Sequence, residues 1–261
     1  MPTLRSLAAL LVLAACADPS AAPLAPRASA SLDRASASAV AVALGDCIES
    51  IGVALAPTVS VRALVPAQFL LVGDGQPVTP LVVRTSQCDV SVDGARTQRG
   101  EIVQIGAIIV PPDGTGDVSS ALLWYYTSDA KLAHALGALG IEAQHVPTID
   151  LDLATGAPGF ARTYHVAVRK PGSPTLDVAG TVVESVASAG AFVANWWTVG
   201  PAGVVKMATS IPSIAIGGAN LALSTPADGA LAALLGPSAG FPILQQFNTF
   251  ASAELTASVV P

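Results

Sequence analysis

The chain has 261 residues, a formal net charge of −6, and only 11% charged against 52% hydrophobic residues, with a mean hydropathy of +0.60. The acidic balance argues against nucleic acid as a partner and against electrostatic docking on an anionic membrane. The apolar residues are mostly Ala and Val, broken by 23 Gly and 20 Pro, which suits a β-rich domain with many turns, and no stretch after Cys16 is long and apolar enough to span a bilayer.

Met1 to Ala15 has the three parts of a secretory signal: Arg5, a short apolar run from Leu7 to Leu13, and small residues before a cleavage point. Leu13-Ala14-Ala15-Cys16 resembles a bacterial lipobox. That resemblance implies cleavage before Cys16, a lipid on its thiol, and anchoring on the extracytoplasmic face of a bacterial envelope, at the outer membrane where the host has one. Each buried methylene of such an anchor contributes about 0.8 kcal/mol. An ordinary signal peptide with an incidental cysteine is the competing reading. Residues 16–44 are rich in Ala, Ser and Pro and read as a flexible tether, with the folded domain spanning 45–261. Cys47 and Cys88 remain. Outside the cytosol an even pair closes a disulfide, and no further cysteine or adjacent histidine completes a metal-ligand set.

In chain order, Cys47 to Ala56 reads as a strand, Thr58 to Leu64 as a short helix ended by Pro66, and Phe69 to Val72 as a strand edge. Leu81 to Val92 is a strand followed by a hairpin turn at Asp93-Gly94. Glu101 to Val110 is the most continuous apolar strand. Ser119 to Thr127 follows, carrying Trp124, Tyr125 and Tyr126. The clearest helix runs from an N-cap at Ser128 to Gly140, with Leu132, Leu136 and Leu139 on one face. Strands are expected over Arg162 to Lys170, Leu176 to Val186, Phe192 to Val199, Val204 to Ser210 and Ile214 to Leu223. Thr225-Pro226 opens a second helix through Leu235, and Phe247 to Val260 is a closing strand. About ten strands and two main helices without βαβ alternation define an α+β fold, a large antiparallel sheet or barrel with helices packed on it.

Three segments carry a family resemblance. They are Val61-Arg62-Ala63-Leu64-Val65-Pro66, the long strand from Gly100 into Pro112, and the strand-to-helix passage Tyr125 to Leu132. In order and spacing, Gly45 to Val260 resembles the acetoacetate decarboxylase-like superfamily, which implies a cone-shaped β-barrel. Such enzymes use two adjacent lysines, one forming a Schiff base and one lowering its pKa. The matching place here offers Lys131 alone, beside Ala130. Lys131 lies off the leucine face, so it reads either as a solvated charge or, if the chain is an enzyme, as the catalytic amine. The family's strand acid would match Glu101 or Gln104.

His134, His145 and His165 fall in separate segments, so no metal and no cofactor is expected. Asp150 and Asp152 share a strand face at an edge, and no Gly-x-Ser-x-Gly elbow marks a hydrolase. Trp124, Tyr126, Trp196 and Trp197 form two aromatic clusters. They read either as core packing or as the lining of an apolar pocket. The sequence therefore predicts a lipid-anchored domain that binds a small apolar or carboxylate-bearing molecule without decarboxylase activity. Its alternatives are a lyase of this superfamily with a rearranged site, or a structural envelope lipoprotein. The membrane, through the lipid, and a small molecule are the partners this reading names; it names no protein partner.

Overall fold

The structure is a computed structural model that describes residues 39–169 and 175–260; the signal segment, Cys16 and Lys170 lie outside the described residues. Among the described residues twelve strands are present: β1 Ala39–Pro57, β2 Val78–Val92, β3 Ala95–Ile108, β4 Val118–Thr127, β5 Ala143–His145, β6 Ile149–Leu153, β7 Ala161–Val168, β8 Leu176–Val183, β9 Ser188–Gly200, β10 Gly203–Ser224, β11 Ser238–Gly240 and β12 Leu244–Val260. The helices are α1 Thr58–Arg62, α2 Ala130–Ala138 and α3 Ala232–Leu235.

Local chemistry sets these elements. The β2–β3 hairpin turns on Asp93 (φ 48°) and Gly94 (φ 78°), the two left-handed residues of a two-residue loop whose twist matches its strands. Helix α2 is capped by Asp129, whose Oδ1 accepts from the N–H groups of Lys131 (2.8 Å) and Leu132 (3.0 Å). Its leucines are buried, and Gly140 follows the helix at φ 81°.

The strands run in the order β12-β1-β2-β3-β4-β9-β10, and β10 pairs again with β12, closing a ring of seven. Pairing in the ring is antiparallel except between β4 and β9. The last residues of β10, Gly218 to Ser224, pair with β8, from which β7 and β6 continue as an arm. This is the expected α+β architecture with a large, mostly antiparallel, ring-closed sheet.

Two hydrophobic cores lie on opposite faces of the ring strands. One takes in Val42, Leu44, Val90, Met207 and Leu255 with Leu132 and Leu136 of α2, and is called the α2-side core. The other takes in Leu81, Ile105, Tyr126, Trp197 and Phe247 with Tyr164 and Val166 of the arm, and is called the arm-side core.

Several expectations change. β1 begins at Ala39, inside the stretch read as tether, because Val40, Val42 and Leu44 alternate with small exposed residues and are buried. The cap of α2 is Asp129, while Ser128 Oγ accepts from the Glu101 N–H (2.9 Å) and donates to its Oε2 (2.6 Å). The helix expected from Thr225 to Leu235 contracts to four residues, as Pro226 to Gly229 form a turn first. The two strands expected on either side of Pro212 are one, β10. Its register shifts between Ile211 and Ile214, a break that accommodates a residue lacking an N–H.

Candidate functional site

The disulfide expected between Cys47 and Cys88 is present and joins β1 to β2 where their register shifts, between Gly45 and Ile48. Both cysteines are buried in the α2-side core. Two residues further along the same face of β1 stands Glu49, 1% exposed, and on β2 stands Arg84, 5% exposed. Arg84 Nε donates to Glu49 Oε2 (2.5 Å), and its Nη1 donates to Gln104 Oε1 (2.8 Å). Asn248 Nδ2 donates to Glu49 Oε1 (2.9 Å). The register explains the row: Asn248 lies across from Glu49, Arg84 from Gln104, and Gln104 from Tyr125. Polar groups thus run across five adjacent strands, β12, β1, β2, β3 and β4.

The two remaining ring strands add one each. Trp196 of β9 belongs to the same core, and Thr209 of β10 alternates with Met207 and Ile211 of that core. Gly106, two residues beyond Gln104, makes room for the indole. A Cβ there would stand 2.7 Å from Trp196 Cζ3 and 2.4 Å from the Ala121 carbonyl oxygen.

Five polar atoms in this group have no hydrogen-bond partner among the described residues: Gln104 Nε2, Tyr125 Oη, Trp196 Nε1, Thr209 Oγ1 and Asn248 Oδ1. Leaving one such atom unsatisfied costs about 1–3 kcal/mol, so five on one face form an unusual concentration for a core that only packs. Burial raises the Tyr125 hydroxyl well above its ordinary pKa, with the Arg84 charge opposing, and keeps it a neutral donor. The only charges in the row, Glu49 and Arg84, neutralise each other. The arrangement presents open donors and acceptors around a neutral ion pair in an apolar core.

A groove of about 420 Å³ lies beside this core, lined in part by Asp46, Glu184, Ser188, Cys47 and Phe250. Cys47 and Phe250 also belong to the α2-side core, next along their strands to Glu49 and Asn248 on the same face.

The residues picked from sequence are dispersed. Gln104 is in the row. Glu101 is not: its Oε1 accepts from Gln87 Nε2 (2.9 Å), and its Oε2 holds Ser128. Lys131 is exposed in the first turn of α2. Lys206 Nζ bonds Asp113 Oδ2 (2.5 Å) and lies over the Trp197 ring, on the arm-side face. Of the four aromatic residues, Trp124, Tyr126 and Trp197 pack in the arm-side core and only Trp196 reaches the α2-side core, because consecutive strand residues face opposite ways. The Trp197 indole donates to Ser119 Oγ (3.1 Å). His134 and His145 are exposed, His165 meets Asp177 (3.2 Å), and Asp150 and Asp152 face solvent. Among the described residues no three His, Cys, Asp or Glu side chains are placed to share a metal ion. No helix among them is long and apolar enough to cross a membrane.

Sequence reasoning missed Glu49, Arg84 and Asn248. A signal existed: Arg84 continues the parity of Val82, Cys88 and Val90, and Glu49 that of Cys47 and Val53, so each charge sits on an apolar, inward row.

No protein-family model matches the sequence, and no curated protein matches it. Solved structures do match in fold. An acetoacetate decarboxylase structure aligns with a TM-score of 0.54 at 11% identity, covering 84% of this chain and 88% of that one. The enduracididine biosynthesis enzyme MppR, with HEPES buffer bound, aligns with a TM-score of 0.52 at 11% identity, covering 86% and 87%. The chain has the fold of the acetoacetate decarboxylase-like enzymes.

Proposed function

We propose that this is a lipid-anchored, extracytoplasmic binding protein whose α2-side core holds a small molecule, apolar in body and polar at one end, without decarboxylase chemistry. One observation carries the reading: five unpartnered polar atoms surround a neutralised ion pair in a single core. A Schiff base needs an amine that is neutral and close to the substrate. Lys131 and Lys206, the lysines among the described residues, stand outside this core, one solvated and one ion-paired. The lipobox-like Leu13-Ala14-Ala15-Cys16 supports the anchor.

Treatment with acetoacetate and borohydride, followed by intact-mass measurement, tests the chemistry. The expected result is no covalent adduct. A reduced adduct that disappears in Lys131→Ala would establish the lyase reading instead. Expression of Cys16→Ser in a bacterial host is expected to move the protein from the membrane fraction to the soluble one, and unchanged membrane retention would remove the anchor from the proposal.

A further inference from the structure

We infer that the head group taken by the α2-side core is uncharged and presents both a carbonyl oxygen and an N–H or O–H donor, as a primary amide does. This rests on the reading of that core as a binding site and specifies what it selects. The bonds already made fix what each unpartnered atom can do. Gln104 Oε1 is held by Arg84 Nη1, so the free end is its NH₂, a donor. Trp196 Nε1 is a donor only. Asn248 Nδ2 is held by Glu49, so the free end is its carbonyl oxygen, an acceptor. The Tyr125 and Thr209 hydroxyls serve either role. A ligand that satisfies this set needs an acceptor for Gln104 and Trp196 and a donor for Asn248.

Charge then selects among such ligands. Glu49 and Arg84 are the only carboxylate and the only basic side chain in the row, and each is the other's partner. A carboxylate would have to displace Glu49 from the guanidinium or enter with its charge uncompensated, and both are costly where water is excluded. The adjoining groove opposes anions further. Its lining holds the carboxylates of Asp46 and Glu184 and no lysine or arginine, and Glu184 is paired with Arg162 (2.6 Å). A cation fares no better in the core, since both Glu49 oxygens already accept from protein donors.

Hexanamide and hexanoate test this directly, because they share length and planar head shape and differ in charge. Calorimetric titration of the full chain is expected to show hexanamide binding at least about tenfold more tightly than hexanoate. Gln104→Glu replaces the donor by a carboxylate and is expected to abolish the amide binding. Thr209→Val, which leaves every bond of the Glu49–Arg84 row in place, is expected to weaken it about five- to tenfold. Equal or tighter hexanoate binding overturns this inference and leaves the binding reading standing. Hexanamide binding that both variants leave unchanged overturns the placement of the head group. Binding of neither molecule at millimolar concentration overturns the binding reading and this inference with it.

Discussion

Two polar clusters occupy opposite faces of the same strands, one residue apart, and they differ in completeness. On the arm side Ser50 Oγ and Thr85 Oγ1 bond one another (2.7 Å), and Thr85 Oγ1 bonds Tyr164 Oη (2.6 Å). That chain ties β7 to β1 and β2 and leaves none of its three hydroxyls unpartnered. On the α2 side Glu49 and Arg84, the preceding residues on those strands, anchor a row with five open ends. Open atoms occur elsewhere too, at Tyr126 and Asn195 on the arm-side face for example. A closed network specifies how strands pack. An open one, maintained at a cost to stability, is what the proposed binding reading calls for.

The largest way to break this contrast is Arg84→Met. It leaves the Glu49 carboxylate buried without its cation, and urea unfolding should show a loss of about 3–5 kcal/mol. Adding Glu49→Gln removes the stranded charge and should recover much of that loss. If Arg84→Met alone cost less than about 1 kcal/mol, the pair would not be a buried, dry one.

The three tyrosines of the chain are all buried and sharpen the comparison through pH. Burial pushes Tyr164 up to about 12, with the hydroxyls of Thr85 and Ser50 pulling the other way; burial raises Tyr125 and Tyr126 as well. An unfolded chain releases these protons near pH 10, so above that pH the unfolded state binds fewer protons and stability falls as pH rises. Tyr164 alone should account for roughly 2 kcal/mol by pH 12. Absorbance at 295 nm should therefore show no tyrosinate until the protein unfolds, and then all three together. A separate, ordinary titration near pH 10 in folded protein would contradict the burial of at least one ring.

The smallest effects separate the clusters most cleanly. Tyr164→Phe breaks a closed bond and should cost about 1–2 kcal/mol. Thr209→Val removes an open hydroxyl and should be neutral or stabilising by up to about 1 kcal/mol in ligand-free protein. Equal losses from both would erase the distinction between closed and open networks.

Strand content and a large antiparallel sheet were legible because they depend on patterns in neighbouring residues, alternation and turn chemistry at Asp93-Gly94, whereas ring closure was implied by the family resemblance and the disulfide by an even cysteine pair. Boundaries were less so. The first strand hid in an Ala-rich stretch whose Val40, Val42 and Leu44 gave the alternation away, and Pro212 read as a strand end although a register shift accommodates it. The candidate site was the least legible, because its defining bond joins residues 199 apart in sequence, Asn248 and Glu49. Gln104 was reached through the family resemblance, while the Trp196-Trp197 pair misled, since two neighbours on a strand cannot line one cavity.

The pairing of β1 with β12 also dictates when the site can come into being. Ala39 lies opposite Ser258, so the first strand of the ring waits for the last. On a nascent chain the first strand has β2 but no β12, and it offers a long unpaired edge. Glu49 then lacks Asn248, and the ring has no closure. Closing a loop that spans nearly the whole domain is slow, and the interval favours mispairing between chains. A chain shortened ahead of Leu244 should therefore aggregate rather than persist as a smaller folded unit.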